Sequence, residues 1–361
     1  MSGAEDYSRL DRLVHRLAFA RPAVQLAAAD MEDGMFARDI AGVALDRPIF
    51  VTSLPRAGTT VLLTALAKSP MLATHTYRDM PFVMAPLLWS RLSGSFRKSA
   101  ALRERAHGDG MHIGYDSPEA FEEVVWKTFW PGHYKDDGIV LWQATDRNAE
   151  GEAFLARHMR KIVALRCGKN AAQGRYISKN NANIARLPLI AQAFPDARIV
   201  VPVRSPLEHA ASLLRQHLNF LDQHGREPFV RRYMADIGHL EFGALHRPIA
   251  FPGFAERARG LDPRDIDYWL AYWIAAFNHV AADPSIILVS HEALAGSGAR
   301  GVTRLCAAIG VEPGPELSAM AAAFREVAPR AGDHGADPTL AAEAEALHGR
   351  LVASSLMVNQ T

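Results

Sequence analysis

The chain has 361 residues, a formal net charge of +1 and 49% hydrophobic residues. That length and apolar content suit one large domain or two ordinary ones. The near-zero charge gives no basic footprint for nucleic acid or a membrane surface. The two cysteines, Cys167 and Cys306, have no companions at metal-ligand spacing, so a reduced, cytoplasmic protein is expected.

Residues 1–45 read as helices packed on the outside of a core that begins near residue 46. Their acidic, helical start lacks the basic opening and apolar centre of a signal peptide, and no run approaches membrane-span length. The stretch IFVTSLPRAGTT at 49–60 carries the most information. Ile49, Phe50 and Val51 form an apolar strand, Leu54 to Gly58 a tight loop, and Thr59-Thr60 lead into a helical pattern. Such a junction is an anion site, because first-turn N–H groups lack intrahelical acceptors and the helix dipole favours negative charge. Gly58 permits close backbone approach, Arg56 adds charge, and the Thr59 and Thr60 hydroxyls add donors. No Lys follows Gly58, so the loop departs from the kinase and ATPase pattern. The purely structural explanation is a helix with Thr59 as its N-cap.

Residues 81–165 are expected to be mostly helical and carry many aromatics, among them Trp89, Phe121, Trp126 and Trp142. Those at 126–134 fit core packing, or a pocket for a sugar, sterol or phenol. Asp116-Ser117-Pro118-Glu119 reads as a helix start, with acids in the first turn favoured by the dipole. The four carboxylates of 116–123 also leave an acid of this segment open as an acceptor-site group, with Glu122 and Glu123 in reserve.

From 166 to 310, short apolar strands alternate with helices, which predicts a parallel sheet covered on both faces. Ligands then sit at the carboxyl ends of the strands. Ala197 to Val203 is a buried strand ending at Arg204. Ser205-Pro206 opens the next helix, and Ser212 lies inside it, so Arg204 and Ser212 could grip one phosphate from two sides. The segment 218–262 has weak periodicity and reads as a loop or lid beside an acceptor site, or as a surface excursion. The tail 313–361 looks helical, with a loop at Gly332–Pro338.

Taken together, the elements at 49–60 and 197–212 resemble the PAPS-dependent sulfotransferases, the donor being 3′-phosphoadenosine 5′-phosphosulfate. Ser178-Lys179-Asn180-Asn181 is similar to the Lys-bearing segment of the tyrosylprotein and broad bacterial branches. Trp269-x-x-x-Trp273 and Ile286 to Leu294 are similar to the later helix and final strand. The resemblance covers about residues 46–310, departing at Ser205, where Asp is usual, and at His291, where Tyr is common. It implies a single P-loop-type α/β domain over 1–361 with a helical insertion on the acceptor side. Arg56, Ala57, Gly58, Thr59 and Thr60 would hold the 5′-phosphosulfate end, and Arg204 and Ser212 the 3′-phosphate.

The resemblance also implies the chemistry, which needs positive charge on the leaving oxygen and a base for the acceptor. Lys179 is the candidate for the first role, without a metal. Asp79 is the candidate base, allowing a small insertion relative to the family's Glu, with His75 as first substitute. The expected acceptor is a hydroxyl on a small molecule, carbohydrate or lipid. No nucleic-acid partner or membrane insertion is expected, and a homo-oligomer is left open. The competing readings are a kinase or other phosphotransferase using ATP, and a nucleotide-binding module without catalysis. No G-x-S-x-G elbow, G-x-G-x-x-G fingerprint or H-E-x-x-H helix is present.

Overall fold

The computed structural model describes residues 9–93, 103–104, 112–114, 116–297, 299–319 and 335–358. The expectations for residues 1–8, for 320–334 of the tail (with most of the loop foreseen there) and for 359–361 lie outside these. Five strands form one parallel sheet: β1 (Ile49–Val51), β2 (Leu72–Ala73), β5 (Arg175–Lys179), β6 (Arg198–Val203) and β7 (Ile286–Ser290), in the order β2-β5-β1-β6-β7. A separate antiparallel pair joins β3 (Arg103–Glu104) to β4 (His112–Ile113).

The strands are apolar on both faces because helices cover both, as a parallel sheet requires. Side chains alternate across it with period two. Phe50, Tyr176, Ile199 and Val201 enter the larger core, whereas Ile49, Val51, Ile177 and Val200 enter a second, smaller one. The smaller core is closed by Leu62, Leu63 and Leu66 of helix Thr59–Leu66 and by Leu305, Cys306 and Ile309 of helix Ala299–Ile309. The larger is closed by helix Ala149–Cys167 and by helix Ile266–Ala281, most of whose residues, including Trp269 and Trp273, are buried. A helix so apolar around its circumference belongs inside a molecule, and it packs between helices Pro206–Arg226 and Pro338–Val352.

Strand β1 lies between β5 and β6, pairing Val51 with Lys179 on one side and with Val200 on the other. The chain leaves β1 toward β2 and later returns to place β6 on the opposite side. Connections that diverge in this way open a crevice at the strands' carboxyl ends. Among the described residues no helix is long and apolar enough to cross a membrane.

Three local expectations are corrected. Helix Thr59–Leu66 starts with Gly58 as N-cap, so Thr59 is its first residue and not the cap. Asp116–Glu119 is not a helix start, since the helix begins at Glu123. Instead Tyr77 N–H donates to Ser117 O at 3.2 Å and Glu119 N–H to His75 O at 3.0 Å, an antiparallel bridge onto residues 75–77. Backbone pairing to a distant segment outweighs the local signal of Pro and acids. Residues 81–165 are also less helical than expected. Among the described residues, 116–148 holds α-helix only at Glu123–Phe129.

Candidate functional site

The loop after β1 is bent by two residues in the left-handed region, Arg56 at φ 73° and Gly58 at φ 89°. At Gly58 both backbone and space demand glycine, because an added Cβ would stand 2.5 Å from His291 Cδ2. Left-handed residues in a short loop turn successive N–H groups inward, making an anion-binding concavity ahead of the helix N-terminus. Ala57 and Thr59 are buried, and Thr60 is half-buried.

Neighbouring elements hold this loop in shape. Ser53 Oγ donates to Pro202 O at 2.7 Å. His209 Nε2–H donates to Pro55 O at 2.7 Å, while its Nδ1 accepts from Trp273 Nε1 at 3.2 Å. Those partners define the neutral tautomer. Burial drives the His209 pKa down to about 3, so the imidazole stays uncharged. From the same helix Ser212 reaches the loop, with Arg56 Nε donating to its Oγ at 3.3 Å. Arg204, largely buried at the end of β6, donates from Nη1 to Arg56 O at 3.4 Å and has Glu208 at 3.8 Å. Arg56, Arg204 and Ser212 therefore converge, although Ser212 lies 156 positions after Arg56.

Lys179 is the last residue of β5, paired in register with Val51 immediately before the donor loop. The next residues bridge the two strands' ends: Asn180 N–H donates to Val51 O at 3.0 Å, and Thr59 Oγ1 donates to Asn181 Oδ1 at 3.3 Å. The charge of Lys179 acts on Glu119, one of the acids of the 116–123 segment. Burial raises the Glu119 pKa, but the Lys179 and His239 charges, the Tyr77 hydroxyl and the Ala120 N–H outweigh it, so its pKa ends below the ordinary value. Glu119 is half-buried. Its position depends on pairing between 117–119 and 75–77, which the helix-start reading did not foresee (the Tyr77 hydroxyl bonds it from 42 residues away).

Asp79 is placed differently from a free carboxylate. It closes a capping box with Thr76, accepting the Thr76 N–H at 2.9 Å, and the same oxygen takes the His75 Nδ1–H at 3.0 Å. Its other oxygen is held by Arg166. Burial raises its pKa, yet the His75 hydrogen bond and the Arg166 charge bring the net value below the usual range. His75 in turn contacts His158, Nε2 to Nε2, at 2.9 Å. Burial, then the neighbouring His75 and Lys161, push the His158 pKa well down.

Glu122 and Glu123 are equally committed. Glu122 accepts from Trp126 Nε1 at 2.8 Å, Asn183 at 3.0 Å and the Tyr176 hydroxyl at 3.0 Å. Glu123 takes both terminal nitrogens of Arg186, at 2.9 and 3.0 Å, with Asn180 Nδ2 at 2.6 Å. The fully buried Arg186 guanidinium lies 4.6 Å from the Trp126 ring and 4.4 Å from that of Trp142. These acids and aromatics hold the core together.

A profile of the sulfotransferase family matches residues 48–248, from the start of β1 through the donor loop, Lys179, Arg204 and Ser212. The chain belongs to the sulfotransferase family, and its parallel sheet flanked by helices is the fold expected of such a transferase. Among solved structures it is similar to sulfotransferase STF1 from Mycobacterium tuberculosis at 15% identity and a TM-score of 0.48, covering 96% of this chain and 86% of that one. It is also similar to sulfotransferase STF9 from Mycobacterium avium at 16% identity and a TM-score of 0.43, covering 89% and 79%. A sulfotransferase from Alicyclobacillus acidocaldarius is a third, at 16% identity and 0.37, covering 86% and 94%. No curated protein matches the sequence.

Proposed function

We propose that this chain transfers a sulfonyl group from PAPS to an acceptor hydroxyl. The observation that carries the reading is the junction of Arg56, Ser212 and Arg204, which brings two cationic side chains and a hydroxyl beside an inward-turned loop. A donor with phosphates at both ends of its ribose needs two such anion sites in contact. The loop at Arg56, Ala57 and Gly58, with the start of the helix at Thr59 and Thr60, holds the 5′ end, and Arg204 and Ser212 hold the 3′-phosphate. When bound there, PAPS supplies the activated sulfonyl group.

Lys179 provides positive charge for the bridging oxygen as it becomes a phosphate oxygen. Glu119 takes the proton from the acceptor hydroxyl, since it is ionised, half-exposed and electrostatically coupled to Lys179. Asp79 holds His75 and is the less suited base: it is fully buried with three partners, Thr76, His75 and Arg166, whereas the half-buried Glu119 accepts, among the described residues, only from the Tyr77 hydroxyl and the Ala120 N–H.

The test is calorimetry with 3′-phosphoadenosine 5′-phosphate and with AMP. Arg56→Ala should weaken the bisphosphate by about 2–3 kcal/mol, the worth of a charged hydrogen-bonded contact. The Arg204→Ala, Ser212→Ala pair should erase the preference for the bisphosphate over AMP. Wild-type protein that binds both equally would refute the donor assignment.

A further inference from the structure

Three neighbouring strands, β1, β6 and β7, end at one place. In the β6–β7 register Val203 pairs with Ser290, so the residues that follow, Arg204 and His291, leave adjacent strands side by side. His291 opens helix His291–Ser297, and its ring reaches the loop after β1. The position a Cβ would take on Gly58 lies 2.5 Å from His291 Cδ2 and 3.2 Å from its Nε2. The imidazole thus occupies the space left by the missing side chain of Gly58. Glu292 fixes this corner, since its Oε1 accepts the Ser205 N–H at 2.8 Å and its Oε2 the Ser290 hydroxyl at 3.2 Å. Those two bonds tie the end of β6 to the end of β7.

Two histidines touch this loop, and they differ in what their nitrogens do. His209 has both engaged, Nε2–H by Pro55 O and Nδ1 by Trp273 Nε1. His291 is half-buried and makes no hydrogen bond or ion pair among the described residues. Its ring is therefore available to an anion seated in the loop. The charged and titratable groups around it are Arg56 in the loop, Arg204 at the end of β6, Glu208 and His209 on helix Pro206–Arg226, and Glu292 on its own helix. Burial lowers the His291 pKa, Glu292 works against this and Arg204 with it, and the net value lies below the ordinary one. The ring is thus neutral near pH 7.5 while the loop is empty. A phosphate dianion within a few ångströms reverses that balance by favouring the charged form.

We propose that His291 is a further ligand of the phosphate held by the loop after β1, turning from imidazole to imidazolium as that phosphate binds, so that donor binding takes up a proton. The inference rests on the sulfonyl-transfer reading for the identity of the phosphate. The proton comes from solvent and returns to it when the bisphosphate product leaves. His209 cannot take that proton, because both its ring nitrogens are already committed. Affinity for the donor therefore rises as pH falls through the His291 pKa of the complex, and levels off below that of the free chain.

The experiment is calorimetry of the full chain with 3′-phosphoadenosine 5′-phosphate and with AMP, at pH 7.5 in two buffers of different ionisation enthalpy. The wild type should take up as much as about one proton per bisphosphate, and its affinity should rise from pH 8.5 to 7 by at most about tenfold per pH unit, the limit for one proton. That range stays above the second pKa of a phosphate monoester, about 6. AMP should show the same uptake, since its phosphate is the one the loop holds. His291→Phe should bind the bisphosphate about tenfold more weakly or worse, the worth of a charged hydrogen bond, with no uptake. His291→Gln, which keeps a donor but does not titrate, should retain more affinity and likewise show no uptake. Wild-type binding without proton uptake overturns the inference whether or not the variants fold, and so does uptake that persists in His291→Phe. Uptake with the bisphosphate but not with AMP would overturn the assignment to the loop phosphate. A bisphosphate that fails to bind at any pH removes the donor reading itself and this inference with it, whereas binding without uptake leaves the donor reading standing.

Discussion

On the β6 side of β1, the polar groups serve a single loop: Arg204, His209 and Ser212 all contact residues 55–56. On the β5 side they serve one another, through Asp79 with His75 and Arg166, and Glu123 with Arg186 and Asn180. The first arrangement leaves cationic groups converging on a concavity, which suits a charged ligand. The second consumes its charges in buried pairs, whose loss is costly because the remaining partner is stranded away from water. A carboxylate near the chemistry is therefore not automatically a catalytic one, and Glu119 differs from Asp79 in exposure and in its link to Lys179.

The largest effect expected from this contrast is on stability. Glu123→Gln leaves the buried Arg186 guanidinium without its counter-charge and should cost about 3–5 kcal/mol, read as a lower midpoint in urea unfolding. A loss below about 1 kcal/mol would mean that the two tryptophan faces alone suffice for Arg186. Next comes the separation of Glu119 from Asp79. Glu119→Gln should lower turnover about a hundredfold or more with bisphosphate affinity retained. Asp79→Asn should lower the unfolding midpoint, with turnover per folded molecule nearly kept. The reverse pattern in single-turnover assays would return the base to Asp79.

The smallest effect per group comes from pH. Burial lowers His209 to about 3 and His217 and His246 to about 4, and His158 falls well below its ordinary value. Each is neutral in the folded chain but takes a proton in the unfolded one below about pH 6.5. The unfolded state then binds more protons, so stability falls as pH drops from about 6.5 toward the folded values. The slope is up to about 1.4 kcal/mol per pH unit for each histidine. Of these, only His209 bonds the loop after β1, whereas His246 bonds Glu241 O and His217 accepts the Gly243 N–H. Hydrogen exchange at pH 5.5 should therefore lose more protection at 238–249 than at 53–60, compared with pH 7. Equal loss in both segments would erase the distinction.

The donor side was legible because its pieces are local. Ile49 to Thr60 and Ala197 to Ser212 are each a strand, a turn and a helix start, and the residue types at those turns follow from what the backbone needs there. Gly58 sits where a Cβ would strike His291, and Pro206 occupies the first turn of its helix. The alternation of apolar strands with helices announced the parallel sheet for the same reason, since both faces of such strands must be buried.

The acceptor side was not legible, because its geometry is made by contacts far apart in sequence. Local rules assigned Asp116–Glu119 to a helix start, and backbone pairing with residues 75–77 decided otherwise, putting Glu119 near Lys179. Thr76 and His75 engage one Asp79 oxygen locally, but the other is taken by Arg166 from 87 positions away, which no spacing of residue types reveals. By itself the sequence determined the parallel sheet and the strand–loop–helix junctions at 49–60 and 197–212, each a consequence of backbone conformation over a dozen residues. Only the tertiary structure set how Asp79, Glu119, Glu122 and Glu123 are each partnered, because a buried acid is defined by the groups that surround it.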